Sequence, residues 1–314
     1  MGWGAGESQA QPAYRVKDIN TAVPRASSAG SMTPLAVVGD NVFFAGDDGA
    51  NGLELWKVDT LTGSATMVKD IFPGQGSSLH SLLMTTANGL VFFAAYDGVH
   101  GGELWKSDGT TAGTVMIRDL DPSPNTFAIG RWIASAGGLV FFGGNDGSSG
   151  EEVWVTDGTS AGTKLLADIR PGSQGSNTAF LATAGGKVLF AADDGTHGLE
   201  PWISDGTGAG TRMFQDIAPG ALSSFPERMT GASARIYFLA DNGTGTELWA
   251  FPAKALNPTF TDVPASYWAA AWIEQLAAEG ITTGCAPGQY CPGGSVSRDQ
   301  MAAFLTRTFN LAIP

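Results

Sequence analysis

The sequence is short of charged residues and of long apolar runs. Charged residues make up 15% of its 314 residues while hydrophobic residues make up 43%, which excludes an intrinsically disordered chain. No apolar run approaches the roughly 18 residues that cross a bilayer as a helix, so no membrane span is predicted. The net charge is −13, so nucleic acid and anionic membranes would be repelled. Soluble ligands, cations and neutral glycans remain as partners.

Cysteine and histidine are also scarce, with two and three residues. Cys285 and Cys291 lie six residues apart in a segment rich in glycine and proline, and a disulfide between them favours an oxidising compartment. The alternative is two unrelated buried thiols, since no histidine lies nearby to complete a metal site. Residues 1–13 lack the basic and apolar regions of a signal peptide, so we expect that a signal was removed or that export follows another route.

Five Glu-x-Trp motifs recur along the chain. Subtracting successive tryptophan numbers gives spacings of 49, 49, 48 and 47 residues. A nearly constant period of this size is typical of a propeller or a solenoid. The five pairs are Glu54 and Trp56, Glu103 and Trp105, Glu152 and Trp154, Glu200 and Trp202, and Glu247 and Trp249.

Each repeat divides into four short strands. In the second repeat, Asn88-Gly89 forms a hairpin turn before the apolar run Val91-Phe92-Phe93. An Asp-Gly turn leads to the third strand, where the glutamate and the tryptophan share one face. The turn Ser107-Asp108-Gly109-Thr110 follows, and the fourth strand ends in Asp119-Leu120. The pattern predicts a four-stranded antiparallel blade.

The two ends of the repeat region complement each other. Residues 14–19 resemble a fourth strand with no unit before it, and residues 247–251 are a third strand with no fourth strand after it. Pairing them would complete the fifth blade and remove the exposed sheet edges. We therefore expect an all-β, five-bladed β-propeller over residues 14–252, closed by its N-terminal strand and preceded by an extension, 1–13.

Residues 102–114, Gly-Glu-Leu-Trp-Lys-Ser-Asp-Gly-Thr-Thr-Ala-Gly-Thr, resemble the ELWxxDGTxxGT repeat of bacterial secreted and surface proteins. The resemblance extends from residue 14 to 251. It implies a location outside the cell and says little about activity, because the family is defined by sequence and fold.

Residues 253–314 differ in composition and predict a small α-helical module. Apolar residues at helical spacing predict helices over 266–279 and from Ser297 to Phe309. The segment 259–309 contains, in order, Phe260-Thr261-Asp262-Val263, Trp268-Ala269, Trp272-Ile273, Leu276-Ala277-Ala278-Glu279-Gly280-Ile281 and Val296-Ser297-Arg298-Asp299-Gln300-Met301-Ala302. This order resembles one S-layer homology repeat. The resemblance implies attachment to cell-wall glycans, with three glycan-facing candidates: Asp262, Trp268 and Arg298. Only one repeat is present, so assembly with other copies or packing on the propeller are alternatives.

The repeated residues have both functional and structural interpretations. The five glutamates can be paired catalytic carboxylates, but five symmetric copies favour hydrogen-bond acceptors, and the tryptophans favour packing between blades. The Asp-rich turns offer oxygen ligands for calcium. The Asp-Gly pairs in them are also explained by the backbone conformation that a tight turn requires. No other metal or cofactor site is predicted, since His100 and His197 are expected to be solvated turn residues. The calcium candidates are Asp47, Asp48, Asp193 and Asp194.

We therefore expect a non-enzymatic interaction protein at the cell surface or outside the cell. The propeller would be the binding or display scaffold, and the C-terminal module would attach to cell-wall glycan or assemble with other surface subunits. The alternatives are a structural subunit of a surface layer, filament or appendage, as a homo-oligomer, and a lectin-like glycan binder. A glycan-cleaving enzyme would instead require carboxylates unique to one blade.

Overall fold

The computed structural model describes residues 35–79, 83–123, 126–232 and 235–252, together with Ile19 and single residues between 273 and 293. Four sheets have four strands each. The first sheet holds β1 (Ala36–Val38), β2 (Asn41–Asp47), β3 (Leu53–Asp59) and β4 (Ala65–Lys69). The second sheet holds β5 (Met84–Ala87), β6 (Leu90–Tyr96), β7 (Gly102–Ser107) and β8 (Val115–Arg118).

The remaining sheets continue the pattern along the chain. The third sheet holds β9 (Ile129–Ala136), β10 (Leu139–Asn145), β11 (Glu151–Thr156) and β12 (Lys164–Ala167). The fourth sheet holds β13 (Ala179–Ala184), β14 (Lys187–Asp193), β15 (Leu199–Ser204) and β16 (Arg212–Met213). The fifth sheet has three described strands, β17 (Glu227–Ala232), β18 (Arg235–Asp241) and β19 (Thr246–Pro252). All pairings within these sheets are antiparallel, as the repeat predicts.

The second strand of each sheet lies in the core. Phe92 and Phe93 are 1% and 0% exposed, and Phe141 and Phe142 are both 0% exposed. The hairpin before β6 turns at Asn88 and Gly89, whose φ angles of 51° and 76° suit a two-residue turn that follows the twist of the strands. In the second, third and fourth sheets, the predicted apolar run is therefore buried on both faces, whereas β2 and β18 carry partly exposed residues between the buried ones.

The Asp-Gly-Thr turn after the third strand packs on the preceding sheet. Gly158 has a φ of +90°, and a β-carbon there would lie 3.2 Å from Cζ of Phe92 in the second sheet. Asp157 fixes the turn by accepting the amide and hydroxyl of Thr159 at 2.8 and 2.7 Å. Gly109 meets Phe43 of the first sheet in the same way. The Asp-Gly-Thr turn, which recurs in the chain, thus packs neighbouring sheets against each other.

Successive sheets contact each other through their first strands. Contacts join β1 to β5, β5 to β9, β9 to β13 and β13 to β17. Among the described strands, no contact of similar extent joins β17 to β1. On β19, Leu248 is 68% exposed, whereas Leu104 and Val153 at the same place in earlier sheets are 0% exposed.

Residues 14–18, which are predicted to cover β19, lie outside the described residues. Cδ1 of the adjoining Ile19 lies 2.9 Å from where a β-carbon on Gly46 would stand. Ile71 packs in the same cluster as Ala95, the counterpart of Gly46 one sheet later. The strand over residues 14–19 and the closure of a five-bladed ring stay predictions.

Most of the C-terminal module also lies outside the described residues. Ile273 and Leu276 are in helical conformation and Ile273 is 3% exposed, but the bounds of the two predicted helices are not described. Cys285 and Cys291 form the predicted disulfide. Within the described part of the chain, no helix is both long and apolar enough to cross a membrane.

The contact of Gly158 with Phe92 can be tested by adding one methyl group. Gly158→Ala should lower the free energy of unfolding by about 2 to 3 kcal/mol, because it adds crowding to the cost of a positive φ. Gly63→Ala is the matched control: its φ is +68° and nothing lies within 4 Å of the added carbon. It should cost about 1 kcal/mol. Equal losses in urea unfolding would contradict the packing role of the turn.

Candidate functional site

Four of the repeated glutamates are buried within the sheets. Glu54, Glu103, Glu152 and Glu200 lie on the third strands β3, β7, β11 and β15 and are 0% exposed. In each, Oε2 accepts the amide of the residue that directly follows the aspartate after the fourth strand. The donors are Ile71 at 3.0 Å, Leu120 at 3.1 Å, Ile169 at 3.0 Å and Ile217 at 2.9 Å. These carboxylates therefore hold the chain that leaves each sheet for the next.

A serine in the link to the next sheet completes this arrangement in three repeats. Ser78, Ser176 and Ser224 donate their hydroxyls to Oε2 of the glutamate at 2.6 to 2.7 Å. The amides of Ser78 and Ser224 also reach Oε1 at 3.1 Å. One carboxylate thus fixes both the start and the end of the link. This geometry is that of a structural acceptor without access to solvent.

The second repeat lacks that serine. Ala128 stands in its place, since its amide donates to the Gly102 carbonyl as Ser78 donates to that of Leu53. Oε1 of Glu103 is buried and has no hydrogen-bond partner among the described residues. Burial, together with the nearby charges of Asp119 and Asp121, raises the pKa of Glu103 to about 8. Glu54, which keeps its serine, has a pKa raised by burial to about 7.

The fifth glutamate and the tryptophans differ from sheet to sheet. Glu247 on β19 is exposed.

Four of the repeated tryptophans pack with apolar residues of their own sheet and of the preceding sheet. They are Trp105, Trp154, Trp202 and Trp249. Trp56 is 7% exposed. The indole nitrogen of Trp249 donates to the Ala240 carbonyl at 3.0 Å. The tryptophan rings are thus parts of the core and do not form a ligand surface.

The Asp-rich turns are closed by their own hydrogen bonds. Oδ1 of Asp194 accepts the amides of Thr196 and His197 at 2.8 Å, and its Oδ2 lies 2.7 Å from Nδ1 of His197. His100 and Asp97 repeat this pair. The hydrogen bond to the aspartate raises the pKa of each histidine.

The calcium candidates serve as turn acceptors in the same way. Oδ1 of Asp47 and Oδ1 of Asp193 each accept a glycine amide at 2.7 Å, and Oδ1 of Asp48 accepts two turn amides at 2.9 Å. Asp193 also pairs with Arg170 at 3.0 Å. Among the described residues, no group of three or more potential ligands is placed to hold a metal ion.

An aromatic cluster that the repeat analysis missed lies between the second and third sheets. The Phe72 and Tyr96 rings are 5.2 Å apart, edge to face, and the Tyr96 and Phe127 rings are 6.4 Å apart. Phe127 is 59% exposed. None of these three residues recurs in the other repeats, so the repeat pattern does not point to them. The sequence signal that could have shown the cluster is Tyr96, which stands where the other four repeats carry aspartate or asparagine.

Residues 259–302 match the family model of the S-layer homology domain. The chain carries an S-layer homology domain. S-layer homology domains bind cell-wall glycans, and this one indicates a protein associated with the cell surface or an S-layer. The disulfide lies inside the matched range. Asp262, Trp268 and Arg298 also fall within it, but all three lie outside the described residues, so their roles stay predictions.

Outside the S-layer homology domain, the comparisons are distant. None of the curated proteins matches the chain. Puromycin hydrolase resembles it with a TM-score of 0.43 and 14% identity, over 73% of this chain and 39% of that one. The putative TolB from Agrobacterium tumefaciens has a TM-score of 0.39 and 11% identity, over 68% and 73%. The tricorn protease has a TM-score of 0.36 and 14% identity, over 69% and 21%.

The chain thus spans well under half the length of two of these three structures. Likenesses of this size carry no inference about activity. The assignment of the repeats to the ELWxxDGTxxGT family stays a prediction.

The raised pKa of Glu103 predicts that stability falls as the pH rises. Its pKa is about 8 in the folded protein and 4.5 in a model peptide, so the folded state binds more protons between these values. The free energy of unfolding should fall over this range. Ala128→Ser, which restores a hydroxyl donor, should reduce the fall and stabilise the protein at pH 8 by about 1 kcal/mol.

The matched control is Ser176→Ala, which removes the corresponding donor from Glu152. It should destabilise the protein most at high pH. Urea unfolding at pH 5 and pH 8 measures both effects. An unchanged pH dependence in Ala128→Ser would show that Glu103 does not depend on a serine donor.

Proposed function

We propose that the protein is a non-enzymatic interaction protein of the cell surface. The S-layer homology domain attaches it to cell-wall glycan, and the sheets of residues 35–252 form a scaffold that presents a binding surface. The match of residues 259–302 to the S-layer homology family carries this proposal.

The glycan contacts are assigned to Asp262, Trp268 and Arg298. A guanidinium has a planar set of donors that can bind both oxygens of a carboxylate on an acidic sugar. The negative net charge of −13 repels such a sugar elsewhere on the surface, so a local cation is needed. Trp268 supplies an apolar face beside these polar groups.

The burial of the repeated glutamates supports a role without catalysis. General acid or base catalysis requires a carboxylate within hydrogen-bond reach of a substrate. Glu54, Glu152 and Glu200 are 0% exposed and accept hydrogen bonds from the links between sheets. Glu103 differs in its partners but is equally buried.

A structural subunit of a surface layer is the second candidate function. The observation that favours it is Leu248 on β19, which is 68% exposed. A large apolar side chain that is exposed in one chain can be covered by another chain. Light scattering over a range of concentrations separates the two functions, because pairing between chains makes the particle size depend on concentration.

Replacing Arg298 tests the attachment. Arg298→Ala should lower the fraction of protein retained on purified cell walls at least fivefold, because the charge-assisted contact to the glycan is lost. Arg298→Lys keeps the charge but loses the planar donors, so it should retain an intermediate fraction.

Arg307→Ala is the matched control, since Arg307 lies in the same module but beyond residue 302. It should leave retention unchanged. Equal retention of the natural protein and Arg298→Ala, with both folded by circular dichroism, would contradict attachment through Arg298.

A further inference from the structure

The third repeat carries a carboxylate that the other repeats lack. Glu151 opens β11, and its Oε1 accepts the hydroxyl of Thr178 at 3.1 Å. Oγ1 of Thr178 in turn accepts the indole N–H of Trp132 at 3.0 Å. Glu151 is partly exposed, unlike the buried glutamate that follows it. At its place the other repeats carry Leu53, Gly102, Leu199 and Thr246.

Two glycines make room for this hydrogen-bond chain. A β-carbon on Gly143 would lie 2.9 Å from Oγ1 of Thr178 and 3.0 Å from the indole nitrogen of Trp132. The other four repeats carry alanine or leucine at the place of Gly143. A β-carbon on Gly130 would lie 2.9 Å from the carboxyl carbon of Glu151. Glycine within a strand often marks such a close approach. The third repeat is thus built around this one carboxylate.

The hydrogen-bond chain adjoins an aromatic stack that reaches the surface. The ring of Trp132 is stacked with that of Phe190 at 6.1 Å and with that of Phe180 at 6.2 Å between centroids. Trp132 and Phe190 are 5% and 0% exposed, whereas Phe180 is 40% exposed. Trp132 therefore contacts the exposed ring directly and the carboxylate of Glu151 through Thr178, and it holds both in place.

β-bulges occur in the two strands that carry these rings. The pairing of β9 with β10 shifts in register between Phe142 and Gly144, opposite the segment that holds Trp132. The pairing of β13 with β14 shifts between Phe180 and Ala182. The described pairings of β1 with β2 and of β5 with β6 have no such shift. A bulge re-aims a side chain and is frequent next to active sites.

The links of other sheets are held without a carboxylate at this place. Ser77 and Ser223 accept the amides of Leu53 and Leu199 at 3.0 and 2.9 Å, so a hydroxyl fixes the start of the third strand there. An acid in place of an apolar residue and an exposed aromatic ring are not what a packed scaffold requires. Departures of this kind from local rules are expected at functional sites.

The chemistry of these groups fits a neutral saccharide. A sugar ring with equatorial hydroxyls, as in fragments of cellulose and chitin, has a flat face of C–H groups that can cover an aromatic ring. Its hydroxyls are donors, and a carboxylate has lone pairs for more donors than Thr178 alone. A guanidinium is recognised best by two carboxylate oxygens together, and one oxygen of Glu151 is engaged by Thr178. Glycoside cleavage uses a pair of carboxylates, and this cluster holds one.

We propose that Phe180 and Glu151 bind a neutral saccharide with equatorial hydroxyls. The sugar ring stacks on the exposed part of Phe180, which Trp132 supports from the core, and Glu151 accepts a sugar hydroxyl. This inference rests on the proposed function, in which the sheets present a binding surface, and it names the ligand class of that surface.

Saturation-transfer NMR of the full chain with cellohexaose and chitohexaose tests this site. Irradiation of aromatic protons should saturate the C–H protons of the sugar ring. Phe180→Leu keeps an apolar side chain but loses the flat ring, so it should weaken binding roughly fivefold. Phe180→Tyr keeps the ring and should bind as the natural protein does. Glu151→Gln keeps an acceptor for Thr178 but loses the charge, so it should weaken binding by a similar factor.

The control Leu61→Ala removes a 78% exposed apolar side chain from the first sheet and should leave binding unchanged. Equal affinity of the natural protein and Phe180→Leu would overturn the proposal, as would no binding of either saccharide. Binding of an arginine peptide that depends on Phe180, without saccharide binding, would overturn it in favour of a cation. Arg298→Ala should keep its affinity for the saccharides, so a failure of attachment through Arg298 is distinguished from a failure here.

Discussion

The hydrogen bond from a linking amide to a buried glutamate is the interaction on which the rest of the structure depends. Each of the first four sheets places a buried carboxylate in its third strand, and the chain leaving that sheet donates a backbone amide to it. Leaving such a group without partners costs far more than an ordinary hydrogen bond contributes. Glu152, held by Ile169 and Ser176, therefore fixes where the link begins and where it ends. The orientation of each sheet relative to the next follows from this.

Much of the fold could be predicted from the sequence because each period of the repeat corresponds to one sheet. The apolar run around Phe92 recurs in all five repeats, and the turn at Asn88 has counterparts in the first, third and fourth sheets, where the pattern predicts them. The links were less predictable, because the spacing from Leu120 to Ala128 differs by one residue from that of the other links. The glycan-binding candidates, such as Arg298, were predicted from the resemblance to S-layer homology repeats. The structure of the sheets gives no information about these residues.

Repetition and departure from it have different meanings in this chain. A residue that recurs in several sheets is explained by a contact that those sheets share, as Gly158 is by Phe92. The second repeat departs from the others in two respects. Ala128 removes the hydroxyl donor that Ser78, Ser176 and Ser224 supply to their glutamates. Tyr96 stands where the other sheets carry an aspartate or asparagine that accepts a turn amide.

Hydrogen exchange at the links tests the role of the buried glutamates most directly. The link from residue 169 to 176 donates hydrogen bonds to both oxygens of Glu152, whereas in the link from 120 to 128 the amide of Leu120 donates to Oε2 of Glu103. Mass spectrometry of deuterated peptides should show slower amide exchange in the 169–176 link than in the 120–128 link. Equal or slower exchange in the 120–128 link would contradict the account.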